Sequence, residues 1–521
     1  LVDVSFSNIV VRCPADQHVS RAPNTMRYII LIVLIAYVKC NRTTSYEEKR
    51  IKIIEQESRL MLGGNTTLSE KESLVNVCLM KHKFAEVDYG FKNPQYYNFS
   101  HHFFTYRDRI KNSKVHKIIK AMPKGAVLHI HDMSLMGPDY LVNLTYTDHL
   151  YVCFEKQGMK LRFSLTIPDI TCEVKWQLMS EARTAASNVT KFDQDIRKHF
   201  TLVVDNPDVV YPTINETWAA FMEYFVTVAQ MLTFRPVWEQ YFYDALKMFR
   251  DENVMYVEVR TVLPILYDLD GSSYDQEITA KAYRKAINRF KKDYPDFVGA
   301  KIIYAPMRKV DTRTLSDYIE LARKIKRDEP AIFAGFDLVG QEDLGYPLID
   351  FASQLEAVQD LSFFFHAGET DWYGTVSDMN LIDAVLLGAK RIGHAYALAK
   401  HPALMDAVKE RNIGLEVNVL SNAVLSLVKD IRNHPLNLLL AHGMPVVLSS
   451  DDPGAWEADG LSDDFYAAFV GVASRLSDLR LLKTLALNSL TYSSLDEVDK
   501  LVHEFEIRWT RFIDSVVKHQ W

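Results

Sequence analysis

The stretch AVLHIHDMS, residues 126 to 134, runs from apolar residues directly into two histidines one residue apart. In an extended strand, residues i and i+2 share a face, so His129 and His131 would point the same way and could converge on one metal ion. The other reading is a buried histidine satisfied by a core hydrogen bond beside a solvated one, which is the commoner state of a histidine on an apolar run. The rest of the chain decides between them.

Seven more short apolar or β-branched runs follow: VMYVEVR (254 to 260), AKIIYAP (300 to 306), IFAGFDL (332 to 338), LSFFFHAG (361 to 368), RIGHA (391 to 395), IGLEVN (413 to 418) and PVVLSSDD (445 to 452). Helical patterns such as LIDAVLLGAK separate most of them. Eight strands alternating with helices predict an α/β fold, a (β/α)8 TIM barrel, over residues 121 to 521. The first two runs are about 120 residues apart, far more than one connecting helix needs, which predicts an inserted subdomain after the first strand, at about 144 to 200. Residues 41 to 120 form an N-terminal helical segment, with charged amphipathic stretches such as SYEEKRIKIIEQESRLML that would cap the barrel or pair with another subunit.

The 521 residues are 48% hydrophobic and 24% charged with a net charge of −7, the profile of a soluble globular chain. There is no basic excess, so an extended nucleic-acid partner is not expected. From Met26, the sequence MRYIILIVLIAYVKC has one early arginine, an apolar core and a small residue at Cys40. That reads as a secretory signal peptide over 26 to 40, its core too short to span a bilayer comfortably; a buried helix or short anchor is the alternative. Residues 1 to 25 would then lie outside the mature, secreted protein, which would have no membrane span. Asn41, Asn65, Asn98, Asn143, Asn188 and Asn215 each begin an N-x-[ST] acceptor sequence, consistent with an extracellular glycoprotein. Cys153 and Cys172 are near enough in sequence to close a disulfide loop that leaves Cys78 out, and buried thiols are the alternative. No C-x-x-C occurs, so a thiolate zinc site is not expected.

In such barrels the chemistry sits at the C-terminal ends of the strands. His129 and His131 end the first run, His366 and Glu369 in FFHAGET end the fifth, His394 ends the sixth, and Asp451 and Asp452 end the eighth. Metal-competent side chains thus recur at one end of four runs, where scattered core histidines would show no such order. Three neutral imidazoles and a carboxylate suit zinc with a position left for water. Zinc brings the pKa of its water from 15.7 towards about 7. Glu369 would sit beside the metal and pass a proton to the substrate, His394 would orient or deprotonate the attacking water, and Asp452 would hold the substrate. No lysine ends the fourth run, so a carboxylated lysine bridging two metals is not expected there, and one zinc per subunit is. The H-x-E and P-C-x-x-C pattern of cytidine-type deaminases is absent.

These motifs, MPKGAVLHIHD (122 to 132), GFDLVGQED (335 to 343), FFHAGETDW (364 to 372), RIGHAYAL (391 to 398), SNAVLSLVKDIRNHP (421 to 435) and VVLSSDDP (446 to 453), resemble the adenosine deaminase family. Residues 41 to 521 are most similar in pattern to its secreted branch, the adenosine deaminase 2 and adenosine deaminase-related growth factor type. The resemblance implies hydrolysis of adenosine or 2′-deoxyadenosine to the inosine product and ammonia, by zinc-activated water attacking C6. It implies zinc on His129, His131, His366 and Asp451, protonation of purine N1 by Glu369, and assistance to the water by His394. It also implies a contact of Asp452 with N7, of the Gly340 backbone with N3, and of Asp132 and Trp218 with the ribose side. A homodimer through the N-terminal helices follows from the resemblance too, as does a disulfide-bearing insertion that engages a glycan or cell-surface receptor. The segment EVNVLSN departs from the pattern: Asn418 and Val419 stand where many relatives carry a cysteine-proline pair, at a strand end expected near the pocket.

Two rival readings come from other classes. One is a growth-factor-like ligand that signals through the insertion and keeps the barrel as scaffold. The other is a deaminase of a different purine nucleoside or of a nucleotide, although Asp132 at the ribose end would repel phosphate.

Overall fold

The computed structural model describes residues 45 to 519 except Gln157. The expected signal peptide, the residues before it and Asn41 lie outside the described residues. All eight expected strands form: β1 Gly125–His131, β2 Val254–Thr261, β3 Gly299–Tyr304, β4 Phe333–Phe336, β5 His366–Ala367, β6 Arg391–His394, β7 Gly414–Val417 and β8 Val446–Leu448. They pair in parallel as two sheets, β1 to β4 and β5 to β8, each in chain order. Single parallel bridges join the sheets at both seams, Ile130 with Asp451 and Phe336 with Phe363. Every residue of β2 is buried, because a parallel strand with helices outside and side chains inside has no wet face.

The fifth strand is much shorter than its apolar run. Side chains take two of its backbone groups, since Arg260 Nη2 donates to the Phe364 carbonyl at 2.9 Å and the His366 N–H donates to Asp337 Oδ1 at 2.8 Å, while the Phe365 carbonyl still accepts from the Gly393 N–H at 2.8 Å. Gly335 permits the close approach there, since a Cβ on it would lie 2.3 Å from the Ser362 carbonyl oxygen.

Helices link the strands. Gln276–Asp293 and Thr312–Asp328 start on Asp275 and Asp311, whose carboxylates accept from the N–H three residues on, at 3.2 and 2.8 Å. The insertion carries a three-stranded antiparallel sheet, Leu150–Phe154, Met159–Phe163 and Gln177–Leu178. A Cys153–Cys172 disulfide with a Cα separation of 6.0 Å ties it, which settles the cysteine question and leaves Cys78 buried elsewhere. The chain returns to β2 through two long helices, α3 Ile214–Leu232 and α4 Arg235–Asp251. Of the N-terminal helices, α1 Ser45–Leu60 buries no residue, whereas α2 Glu70–Lys92 has a Ser69/Glu72 capping box. Glu72 also accepts from Trp509 Nε1 at 2.7 Å on the C-terminal helix Val498–His519. Asn65, Asn143, Asn188 and Asn215 are exposed and Asn98 is half-buried. No described helix is long and apolar enough to cross a membrane.

Candidate active site

His129 and His131 do share a face. One nitrogen from each, one from His366 and one carboxylate oxygen of Asp451 all lie within 4.8 Å of one another. His131 Nε2 is 3.1 Å and His129 Nε2 3.3 Å from Asp451 Oδ1. Asp451 reaches the site because the seam bridge to β1 docks its backbone: its N–H donates to His129 O, and its carbonyl accepts from His131 N–H, both at 3.0 Å. Both His129 Nε2 and Asp451 Oδ1 are buried with no hydrogen-bond partner. Buried polar atoms that converge without partners are costly unless a cation joins them, so the donor set fits a metal ion. Asp451 (φ 58°) and His394 (φ 58°) are held in the left-handed region, a strain that concentrates at functional sites.

The other face of each buried histidine is occupied. His129 Nδ1 lies 2.8 Å from Glu416 Oε2, and His366 Nδ1 lies 2.6 Å from Asp337 Oδ2. Each ring therefore turns Nε2 to the centre, the usual outer support of a metal-binding imidazole. Arg260 joins the two supports: Nε donates to Asp337 at 2.7 Å, Nη2 to Glu416 at 2.7 Å, and Nη1 to the Leu128 carbonyl at 3.1 Å. Arg391 holds Glu416 from the far side and continues to Glu258 at 2.6 Å. Burial alone would raise the carboxyls of Asp337 and Glu416, but these cations and imidazoles outweigh it and hold both far below the usual range. Burial pushes His366 down to about 3, keeping the imidazole neutral as a ligand must be.

One cavity of about 360 Å³ opens on this cluster, and His131, His366, Glu369, His394, Asp451 and Asp452 line it. The four residues expected against substrate, Asp132, Trp218, Gly340 and Asp452, line the same cavity, although they lie 86 to 320 residues from one another in sequence. Burial, then the nearby Asp451, pushes the Glu369 carboxyl well above its ordinary value. Glu342 fixes the turn that carries it, accepting from the Gly368 and Glu369 N–H groups at 2.9 and 2.7 Å. Asp452 is raised too, by burial and by Asp451, and accepts from the Ser134 hydroxyl. Asp132 accepts from Tyr283 Oη at 2.9 Å, and burial pushes it up to about 6. Gly340 has φ +107°, a backbone that only glycine adopts readily. Asn418 and Val419, expected near the pocket, are buried at the start of helix Val419–Val424 and are not among its lining residues.

Sequence reading assigned no role to Arg260, Asp337, Glu342 or Glu416. A signal existed: charged residues in apolar strands are costly unless paired.

The parallel strands, with the cluster at their C-terminal ends, define an α/β protein of the TIM-barrel type with its site where such barrels carry their chemistry. Comparison with known proteins narrows this. Residues 198–504 match the "Adenosine deaminase" family profile and residues 26–119 the "Adenosine/AMP deaminase N-terminal" profile. An adenosine deaminase of Aedes albopictus is 41% identical over 492 residues, 91% of each chain. Adenosine deaminase 2 of Homo sapiens is 39% identical over 497 residues, covering 93% of this chain and 97% of that one. Among solved structures, the N6-methyl-AMP deaminase of Arabidopsis thaliana superposes on 75% of this chain and 98% of its own with a TM-score of 0.52 at 17% identity, a likeness of fold. The chain belongs to the adenosine deaminase family.

Proposed function

We propose that the chain is a secreted, zinc-dependent enzyme that hydrolyses adenosine and 2′-deoxyadenosine to inosine or 2′-deoxyinosine and ammonia. The observation that carries this is the convergence of His129, His131, His366 and Asp451 at the floor of the cavity that Glu369 and Asp452 line. A zinc ion on those four side chains would supply a water acidic enough to attack purine C6 at neutral pH. Glu369, kept protonated by burial, gives its proton to N1 and makes C6 more electrophilic. Asp452 hydrogen-bonds at N7, the Gly340 backbone faces N3, and His394, whose Nε2 lies 3.7 Å from Asp451 Oδ2, orients the attacking oxygen. Asp132 takes a ribose hydroxyl and Trp218 walls the ribose side. Arg260, the arginine among the lining residues, is committed to Asp337 and Glu416, so no spare cation there favours a phosphate.

Support for a homodimer comes from α1, whose Ile51, Ile53, Ile54 and Leu60 are exposed. A signalling role through the insertion draws on one observation: the loop closed by the disulfide displays Leu165, Ile167 and Ile170 to solvent, with Val174 exposed just beyond it, an apolar patch suited to a receptor. Glycosylation at the acceptor asparagines fits secretion. Loss of adenosine absorbance on adding the protein tests the catalytic reading. Glu369→Gln must abolish that loss with zinc still bound, and a biological effect equal to wild type from that variant would refute a purely catalytic account.

A further inference from the structure

The hydrogen bonds behind His394 leave one arrangement of protons. The Leu436 N–H, which can only donate, points at His434 Nδ1 at 3.0 Å. His434 is buried, and that burial pushes it down to about 3, so its single ring proton sits on Nε2. That proton meets Asn422 Oδ1 at 3.0 Å. With its oxygen so placed, the Asn422 amide turns Nδ2 to His394 Nδ1 at 3.1 Å, and a donor facing Nδ1 requires a bare nitrogen. The relay is locked in place. Asn422 is wholly buried, and its backbone carbonyl accepts from the Leu427 and Val428 N–H groups at 2.9 and 3.2 Å. Tyr396 sets its ring edge-on to His434 at 5.3 Å and donates to the Leu427 carbonyl at 2.9 Å.

We propose that His434 and Asn422 are positioning residues that fix His394 as the Nε2–H tautomer. His394 thereby gives the attacking oxygen a hydrogen bond and does not remove its proton. The ring's one proton points to the pocket, and its one lone pair is already filled from behind by Asn422. This rests on the deaminase reading for its catalytic meaning, but the tautomer itself does not.

The test uses the zinc-loaded full chain carrying 15N-labelled histidine, with His394→Gln to assign the signal, together with adenosine turnover and metal content. Expected is an Nε2–H ring at His394 in the wild type and in His434→Gln, whose amide donates as His434 Nε2 does. Turnover in His434→Gln stays within about 3-fold of wild type, whereas Asn422→Asp, whose carboxylate draws the proton to Nδ1, lowers kcat about 100-fold with KM and zinc content held. An Nδ1–H ring in the wild type overturns the proposal, as does full kcat in zinc-loaded Asn422→Asp. The spectrum of the wild type decides even where a variant fails to fold. An Nε2–H ring in a protein that leaves adenosine untouched upholds the relay and refutes the deaminase reading.

Discussion

Glu416 Oε2 lies 2.8 Å from His129 Nδ1. The contact orients a deeply buried imidazole that has no exposure of its own. Glu416→Gln keeps the shape and removes the charge that makes the ring a strong ligand. Zinc affinity falls about 10- to 100-fold, measured by competition with a chromophoric chelator.

Arg260 is a second point of failure. It is the shared partner of Asp337 and Glu416, and all three are fully buried. Arg260→Met leaves buried Asp337 without an arginine and Glu416 with Arg391 alone, and costs about 3–5 kcal/mol of stability, read as a lowered midpoint in denaturant. An unchanged midpoint would mean that the network is not a structural keystone.

Glu369 sets the alkaline limit of activity. The acid form is the working form, so it is present below the raised pKa and lost as pH rises through it. The kcat profile in adenosine therefore declines on its basic side, and Glu369→Gln is inactive at every pH. A residual Glu369→Gln rate with the same basic limb would assign that limb to another group.

Away from the site, Glu457 joins three parts of the chain. It accepts from Arg197 of the insertion at 3.0 and 2.9 Å, from Thr201 at 2.9 Å, and from Arg107 of the N-terminal segment. Burial raises its carboxyl, but these donors outweigh burial and hold it below the ordinary value. A depressed carboxylate stabilises the fold fully above its unfolded pKa of about 4.3, and that contribution is lost as pH falls through the folded value. Glu457→Gln costs about 3 kcal/mol at pH 7 and flattens the acid side of the stability profile. Equal acid sensitivity in variant and wild type would be the contrary result.

What could be read in the sequence followed from locality. His129 and His131 share one strand, and β-branched runs announce the eight strands, so the fold class and the convergence of His129, His131, His366 and Asp451 were legible. The supports were not, because Arg260 in the second strand acts on Asp337 after the fourth and Glu416 in the seventh, contacts that exist only once the sheets curve together. The short β5 was misjudged for the same reason: its apolar run predicts a full strand, but Arg260 and Asp337 take two of its backbone groups, the Phe364 carbonyl and the His366 N–H.

The central claim is that one metal ion on His129, His131, His366 and Asp451 enables the deamination of adenosine. The most direct measurement titrates zinc into chelator-stripped full-length protein and follows adenosine absorbance. The account predicts activity that rises linearly to a break at one zinc per chain and is absent from zinc-treated His131→Ala. Full turnover in the stripped protein, or in that variant, would contradict it.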